Sequence, residues 1–239
     1  MPMATEAEII ETLAGVTTAT LTTVLLKKGL RNTWIRAAAP LLKSGSAAGG
    51  RKVGRAFTLR FVPYREDLAS PASWSSPVST RAAIEAMPKG AMVVADAMGD
   101  KNAGIFGDIL CARMAKKGVT GLITDGVLRD LAGVLDTDLP VWATGAAAPP
   151  SVASLHFVGW EDVIACGGVA VVPGDMVVAD DDGAVVIPAD LVQDVTEQAA
   201  AQEDLEAWIM DEVNGGAELP GLYPPNEANL ARYQAAKGE

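Results

Sequence analysis

Residues 104–130 read GIFGDILCARMAKKGVTGLITDGVLRD, and this stretch decides the fold. A Gly-x-x-Gly-Asp turn opens a helix that ends at Gly118. A strand follows and runs into a loop ending in Arg129-Asp130. Twenty residues separate Asp108 from Arg129. A helix followed by a strand brings the helix start and the Arg-Asp pair to one end of a sheet, where open α/β sheets bind ligands. A metal-assisted enzyme acting on a small oxo acid needs this combination.

The pattern extends in both directions. STRAAIEAMPKG fits a short helix with Ser79 near its start, and AMVVAD fits a buried strand. Strand, helix and strand then alternate through residues 105–145, which predicts an α/β arrangement with crossover connections. Upstream, RKVGRAFTLRFVPY reads as a strand containing Gly54, and the Ser- and Pro-rich residues 66–80 as a loop. Residues 5–30 read as helix, closed by two lysines and Gly29, although a threonine run with stiff side chains opposes it. Residues 31–50 read as a connection ending SGSAAGG.

Downstream, GGVAVVPGDMVVADDDGAVVIP predicts consecutive strands joined by Pro-Gly-Asp and Asp-Asp-Gly turns. Residues 189–213 return to helix. The last stretch is a Pro-Gly connector and a short amphipathic piece, free to pack on a neighbouring subunit or to stay mobile. The expected organisation is an N-terminal helical segment over 1–50, an α/β core over 51–190 and a C-terminal helical extension over 191–239.

One motif occurs twice. GAMVVADAMG at residues 90–99 and GDMVVADDDG at residues 174–183 share a frame, offset by 84 residues. A glycine turn, a short buried strand and a polar turn is a common device, and that reading is preferred over duplication. It leaves two matching acidic strand ends, Asp96 and Asp180.

Composition narrows the chemistry. The 239 residues are 49% hydrophobic, enough for a sizeable core without staples. The net charge is −11, whereas a phosphate-tracking surface is basic, so nucleic acid is not an expected partner. The two cysteines, Cys111 and Cys166, imply no disulfide framework and read as small buried residues. MPMATEAEII lacks the basic and apolar regions of a signal peptide, and no apolar run reaches membrane-spanning length. A soluble cytoplasmic protein is expected. The single histidine, His156, excludes a His-rich zinc site and a two-His iron site, and no nucleophile elbow lies near it. Any acid–base chemistry then falls to carboxylates, a metal or water.

Free N–H groups at a helix start bind anions, and Gly104 and Gly107 let a ligand approach the backbone closely. The amides near Ile109 and Leu110 are therefore candidate carboxylate donors. Asp108 fits as a helix cap, an orienter of water or a support for a metal. Asp130 offers hard oxygens suited to Mg²⁺ or Mn²⁺, and Arg129 a planar fork for a carboxylate or carbonyl oxygen.

GIFGDIL followed after twenty residues by Arg-Asp resembles the Gly-x-x-Gly-Asp/Glu-x20-Arg-Asp signature of the RraA-like family. That family includes 4-hydroxy-4-methyl-2-oxoglutarate/4-carboxy-4-hydroxy-2-oxoadipate aldolases, which are class II pyruvate aldolases. The resemblance covers roughly residues 15–190, from VGRAFTLR through DGVLRD and PVWATG to PGDMVVADDDG. It implies a swivelling β/β/α domain, assembled as trimers or hexamers with sites near subunit interfaces.

By the same resemblance, Gly107, Asp108, Ile109 and Leu110 match the substrate-binding turn, whose amides hold the pyruvyl carboxylate. Arg129 matches the arginine on the pyruvyl oxygen, and Asp130 the metal-binding aspartate. The implied reaction is retro-aldol cleavage of a 4-hydroxy-2-oxo acid, with oxaloacetate decarboxylation as a side activity through the same enolate. Arg129 and the metal stabilise the oxyanion, and a water oriented by Asp108 acts as base. Three matters stay open at this level: whether a partner subunit contributes an acid such as Glu203 or Glu206, whether Lys101, Lys116 or Lys117 forms a Schiff base instead, and whether the chain is a non-catalytic regulator of a ribonuclease. The regulators of this family lack the acid after the arginine, and Asp130 is present. No Gly-x-Gly-x-x-Gly follows a strand, which disfavours a methyltransferase.

Overall fold

A computed structural model describes residues 4–41 and 50–238. Most of the SGSAAGG connection therefore lies outside the described residues. The strands are β1 (Trp34–Ile35), β2 (Ala39–Pro40), β3 (Lys52–Pro63), β4 (Met92–Asp96), β5 (Gly121–Thr124), β6 (Val141–Ala143), β7 (Leu155–Trp160), β8 (Ile164–Cys166), β9 (Val169–Val171), β10 (Met176–Asp180) and β11 (Gly183–Ile187). The helices are α1 (Glu6–Ala14), α2 (Thr18–Lys27), α3 (Thr80–Ala86), α4 (Asp108–Lys117), α5 (Leu131–Leu135), α6 (Val192–Asn214) and α7 (Glu227–Lys237).

The main sheet runs β1-β11-β10-β3-β4-β5-β6-β2, with β7 also paired to β3. Strands β3, β4, β5 and β6 are parallel neighbours. They are joined through α3, α4 and α5 in turn, as the alternating pattern predicted. Strands β10 and β11 are antiparallel, and β8 pairs with β9 in a separate ribbon. This is a mixed α/β fold with flanking helices.

Alternate residues of the strands feed different cores, so both faces are covered. Val93 and Ala95 of β4 pack with Phe57, Leu59, Phe61, Ile84 and Met114. Met92 and Val94 pack with Ile123, Trp142, Ile164 and Val177. A strand buried on both faces reads as an unbroken apolar run, which is why AMVVA carries no polar alternation. A third core joins Met176, Val178 and Val185 to α1, α2 and the first turns of α6 through Leu13, Leu21, Leu25 and Val195.

The repeated MVVAD segments are β4 and β10, which both pair with β3, one parallel and one antiparallel. Each terminal aspartate closes the turn after its strand. Asp96 accepts from Met98 N–H at 2.9 Å and Asp180 from Asp182 N–H at 3.0 Å.

The N-terminal segment differs from expectation. The continuous helix predicted over 5–30 is broken at Gly15–Thr17 into α1 and α2, which are bent by 112°. Thr17 caps α2, its hydroxyl accepting from Thr20 N–H at 3.1 Å. The stretch read as a connection supplies β1, on β11, and β2, on β6. At the other end, α7 packs on α6 of its own chain. Trp208 and Tyr233 meet at 5.8 Å between ring centroids, and Arg232 pairs with Glu212. No single described helix is long and apolar enough to cross a membrane.

Candidate active site

A cavity of about 300 Å³ opens beyond the carboxyl ends of the four parallel strands. Each strand contributes the segment that follows it. Trp74, Thr80 and Arg81 come after β3, and Gly104 to Leu110 after β4. Arg129 and Asp130 come after β5, and Pro150 and Ser151 after β6. The predicted residues Gly107, Asp108, Ile109, Leu110, Arg129 and Asp130 therefore line one cavity.

Backbone hydrogen bonds fix these loops to each other. Gly104 N–H donates to Pro149 O at 2.9 Å, Ile105 N–H to Val127 O at 3.0 Å and Arg129 N–H to Phe106 O at 2.9 Å. The twenty-residue spacing is the length of chain that leaves the glycine turn through α4, returns through β5 and meets the same turn. Gly104 is required by this closure, since a Cβ there would lie 2.6 Å from Arg129 N.

The cap of α4 is Gly107, which makes no side-chain capping bond, and Asp108 is the first helical residue. The capping role considered for Asp108 is thus corrected by one position. Its Oδ1 instead accepts the N–H of Ile109 at 2.7 Å. The first intrahelical bond runs from Cys111 N–H to Gly107 O at 3.0 Å, so the preceding amides have no helical acceptor. Of the two amides named for an anion, Ile109's is engaged by Asp108, while Leu110's has no acceptor among the described residues. Ile109 itself is 80% exposed at the mouth.

Asp130 sits in the left-handed region, φ 51° and ψ 41°, and caps α5. Its Oδ2 accepts from Arg129 Nε at 3.1 Å, with the two side chains 46% and 36% exposed. The same oxygen lies over Gly107, where a Cβ would meet it at 2.7 Å. Asp108 is seated against Gly133 of α5, with only 2.8 Å between its Cβ and a Cβ built at Gly133. The two carboxylates thus approach the cavity over two glycines.

Among the described residues no group of three or more His, Cys, Asp or Glu side chains could hold a metal. The donors present are the carboxylates of Asp130 and Asp108. That set fits Mg²⁺ or Mn²⁺, which retain several waters and take one or two protein carboxylates, and does not fit a caged zinc.

Other residues considered from the sequence lie elsewhere. Glu203 accepts from Thr17 N–H at 2.7 Å and Thr17 Oγ1 at 2.8 Å, and Glu206 from Gln202 at 2.8 Å. Neither lines the cavity. Among the described residues no lysine lines it either, and Lys117 donates to Glu85 O at 2.7 Å. His156 lies on β7, paired with Val62 of β3. Both thiols are buried. Burial and the nearby Asp108 charge push Cys111 up to about 12, and burial and Asp125 push Cys166 well above the thiol range, which disfavours the thiolate form of both.

Asp125, between β5 and the Arg-Asp loop, is 7% exposed and accepts from Ala97 and Gly99 of the β4 loop and from Gly167. Burial raises its carboxyl despite these three donors, and the Asp96 charge adds to that. It ties the segments after β4 and β5 to Gly167. Trp74, Thr80, Arg81, Pro150 and Ser151 were not anticipated. They sit in the short helical turns and the start of α3 that follow β3, and in the segment after β6, where no motif of the sequence ties them to the cavity.

Comparison with known proteins gives a consistent picture. A family model described as "RraA-like: Aldolase/RraA" matches residues 18–186. A Halalkalibacterium halodurans protein named "Putative 4-hydroxy-4-methyl-2-oxoglutarate aldolase" is 33% identical over 140 residues, covering 56% of this chain and 64% of that protein. Protein DlpA of Legionella pneumophila is 26% identical over 171 residues, 72% of this chain. The match spans only 27% of DlpA's length, so the chain covers less than two thirds of each of these relatives. The crystal structure of Streptomyces coelicolor RraAS2, described as an unusual member of the RNase ES inhibitor RraA protein family, superposes with a TM-score of 0.75. It is 33% identical and covers 85% of this chain and 96% of that one.

Proposed function

Because the chain belongs to the RraA-like family of aldolases and RraA proteins, we propose that it is a carbon–carbon lyase that cleaves a 4-hydroxy-2-oxo acid and releases pyruvate, with Mg²⁺ or Mn²⁺ as cofactor. The observation carrying this reading is the convergence of the unpartnered Leu110 amide, Arg129 and Asp130 on one cavity.

In this reading the substrate carboxylate is received by the N–H of Leu110 and, once Asp108 turns from it, that of Ile109. Arg129 donates to the 2-oxo oxygen, where negative charge develops as the C3–C4 bond breaks and the pyruvate enolate forms. Asp130 would hold the cation, which when bound would supply Lewis-acid polarisation of the 2-oxo acid. Arg129 donates to Asp130 at 3.1 Å, which keeps its guanidinium beside the carboxylate that would hold the cation. Asp108, across the glycine turn, orients the water that takes the 4-hydroxyl proton. Loss of CO₂ from oxaloacetate generates the same enolate and is the expected side activity. Assembly into homotrimers or homohexamers, as the family resemblance implies, is part of the same reading.

A panel of 4-hydroxy-2-oxo acids, with pyruvate read through lactate dehydrogenase, tests the proposal. Pyruvate released from at least one member supports it, and no release from any member in the presence of Mg²⁺ or Mn²⁺ rejects it. The likeness to RraAS2 favours one second reading, a non-catalytic regulator that binds a ribonuclease. Co-purification with that ribonuclease, in a protein inert toward the panel, is the outcome that reading requires.

A further inference from the structure

One wall of the cavity is held only loosely by the rest of the molecule. Between the end of β3 at Pro63 and Ser79, which caps α3, runs a connection over 64–78, long for a link between a strand and a helix. Its two ends are pinned. Tyr64 N–H donates to Ser154 O at 3.0 Å, and the Ser79 hydroxyl accepts from Ala82 N–H at 3.3 Å. Between them, every hydrogen bond among the described residues stays inside the span. Ala69 N–H donates to Arg65 O at 2.8 Å, Ser73 N–H to Ser70 O at 2.9 Å and Ser76 N–H to Ser73 O at 3.1 Å. Arg65 pairs with Asp67 of the same span at 2.6 Å. No residue of 64–78 is buried, and Tyr64, Leu68 and Val78 are exposed.

Packing beneath the span is incomplete. A void of about 20 Å³, room for about one water, lies between Ser73, Trp74 and Val78 of the span and Ser151, Val152 and Phe157. Few buried contacts and no hydrogen bonds to other segments oppose opening, so this span belongs to the least stable part of the fold. It nevertheless carries a cavity residue, since Trp74 lines the same space as Gly107, Asp108, Arg129 and Asp130. The Trp74 indole rests on Arg81 at the start of α3, 5.3 Å from guanidinium carbon to ring centroid. We propose that residues 65–78 form a lid, which closes on a bound 2-oxo acid and sets the indole of Trp74 against it. The proposal rests on the function assigned above to this cavity and adds how the site is shut. Negative charge develops beside Arg129 in that chemistry, and a closed lid that excludes water strengthens its electrostatic stabilisation.

Amide hydrogen exchange on the full chain, in Mg²⁺ with and without pyruvate, tests the lid. In the free protein residues 65–78 should exchange within about tenfold of an unstructured peptide. With pyruvate at about ten times its Kd, exchange there should slow about tenfold, because opening then requires release of the ligand. Helix α7, which contributes nothing to the cavity, should be unaffected. Trp74→Ala should abolish the slowing at matched occupancy and weaken pyruvate binding about tenfold in calorimetry. Trp74→Phe, which keeps an aromatic face, should recover part of both. Three results overturn the lid and leave the parent reading standing: pyruvate binding with unchanged exchange over 65–78, full protection already present in the free protein (as cover by a second copy would give), or slowing that persists in Trp74→Ala. If wild type binds no pyruvate in calorimetry, the parent reading falls and the lid with it.

Discussion

Asp130 Oδ2 lies so close over Gly107 that a Cβ on residue 107 would stand 2.7 Å from it. The glycine has φ −117° and ψ −175°, extended backbone open to any residue. Its need for a hydrogen side chain is therefore steric, and what it makes room for is the carboxylate.

Gly107→Ala follows directly. The atom in the way ends a half-exposed side chain, so the fold absorbs the methyl at a cost of about 1 kcal/mol or less. The displaced carboxylate and its partner Arg129 lose their alignment, and kcat/KM should fall by about a hundredfold. Urea denaturation and steady-state kinetics on the same preparation check both halves.

Asp130 itself is held at φ 51°. Glycine relieves that left-handed strain and loses more entropy on folding, two effects of similar size. Asp130→Gly is expected to keep its stability within about 1 kcal/mol of wild type while losing the metal-dependent activity. A large drop in melting temperature would show that the carboxylate is there for the fold.

Asp125 is the structural counterpart. Three backbone N–H groups, of Ala97, Gly99 and Gly167, depend on its two oxygens. Asp125→Ala leaves these donors without their acceptor and should cost about 2–4 kcal/mol in urea denaturation, with cleavage activity lost through disorder of the loops.

Glu203 gives a pH signature. Burial raises its carboxyl, but hydrogen bonds from Thr17 and Thr20 and the charge of Arg51 outweigh this and lower it below 4.5. A carboxylate with a lowered folded value adds stability that is fully present above 4.5 and is lost as pH falls through that folded value. Glu203→Gln should be less stable at neutral pH and show a shallower acid decline, read from urea midpoints across the acid range.

The sequence exposed what local chemistry writes into it. α4 runs from the Gly107 cap to a left-handed Gly118, and both ends are spelled by glycines. β4 and β10 are legible because each is an unbroken apolar run between a glycine turn and an aspartate. The break between α1 and α2 falls at Gly15-Val16-Thr17, where a glycine C-cap is followed by a threonine N-cap; reading residues 5–30 as helix passed over that local signal, and Leu13 and Leu21 pack in one core on either side of it. β1 and β2 have two residues each and exist only because neighbouring strands offer an edge. The Arg-Asp half of the cavity carried a motif, whereas Arg81 and Trp74 meet through a Ser- and Pro-rich loop whose path depends on tertiary structure.

The most direct test is pyruvate release from a 4-hydroxy-2-oxo acid before and after exhaustive chelation, beside Asp130→Gly. The account predicts that EDTA stops turnover, that Mg²⁺ or Mn²⁺ restores it, and that the folded variant stays inactive under both conditions. Undiminished turnover in chelator, or an Asp130→Gly protein as active as wild type, would contradict it.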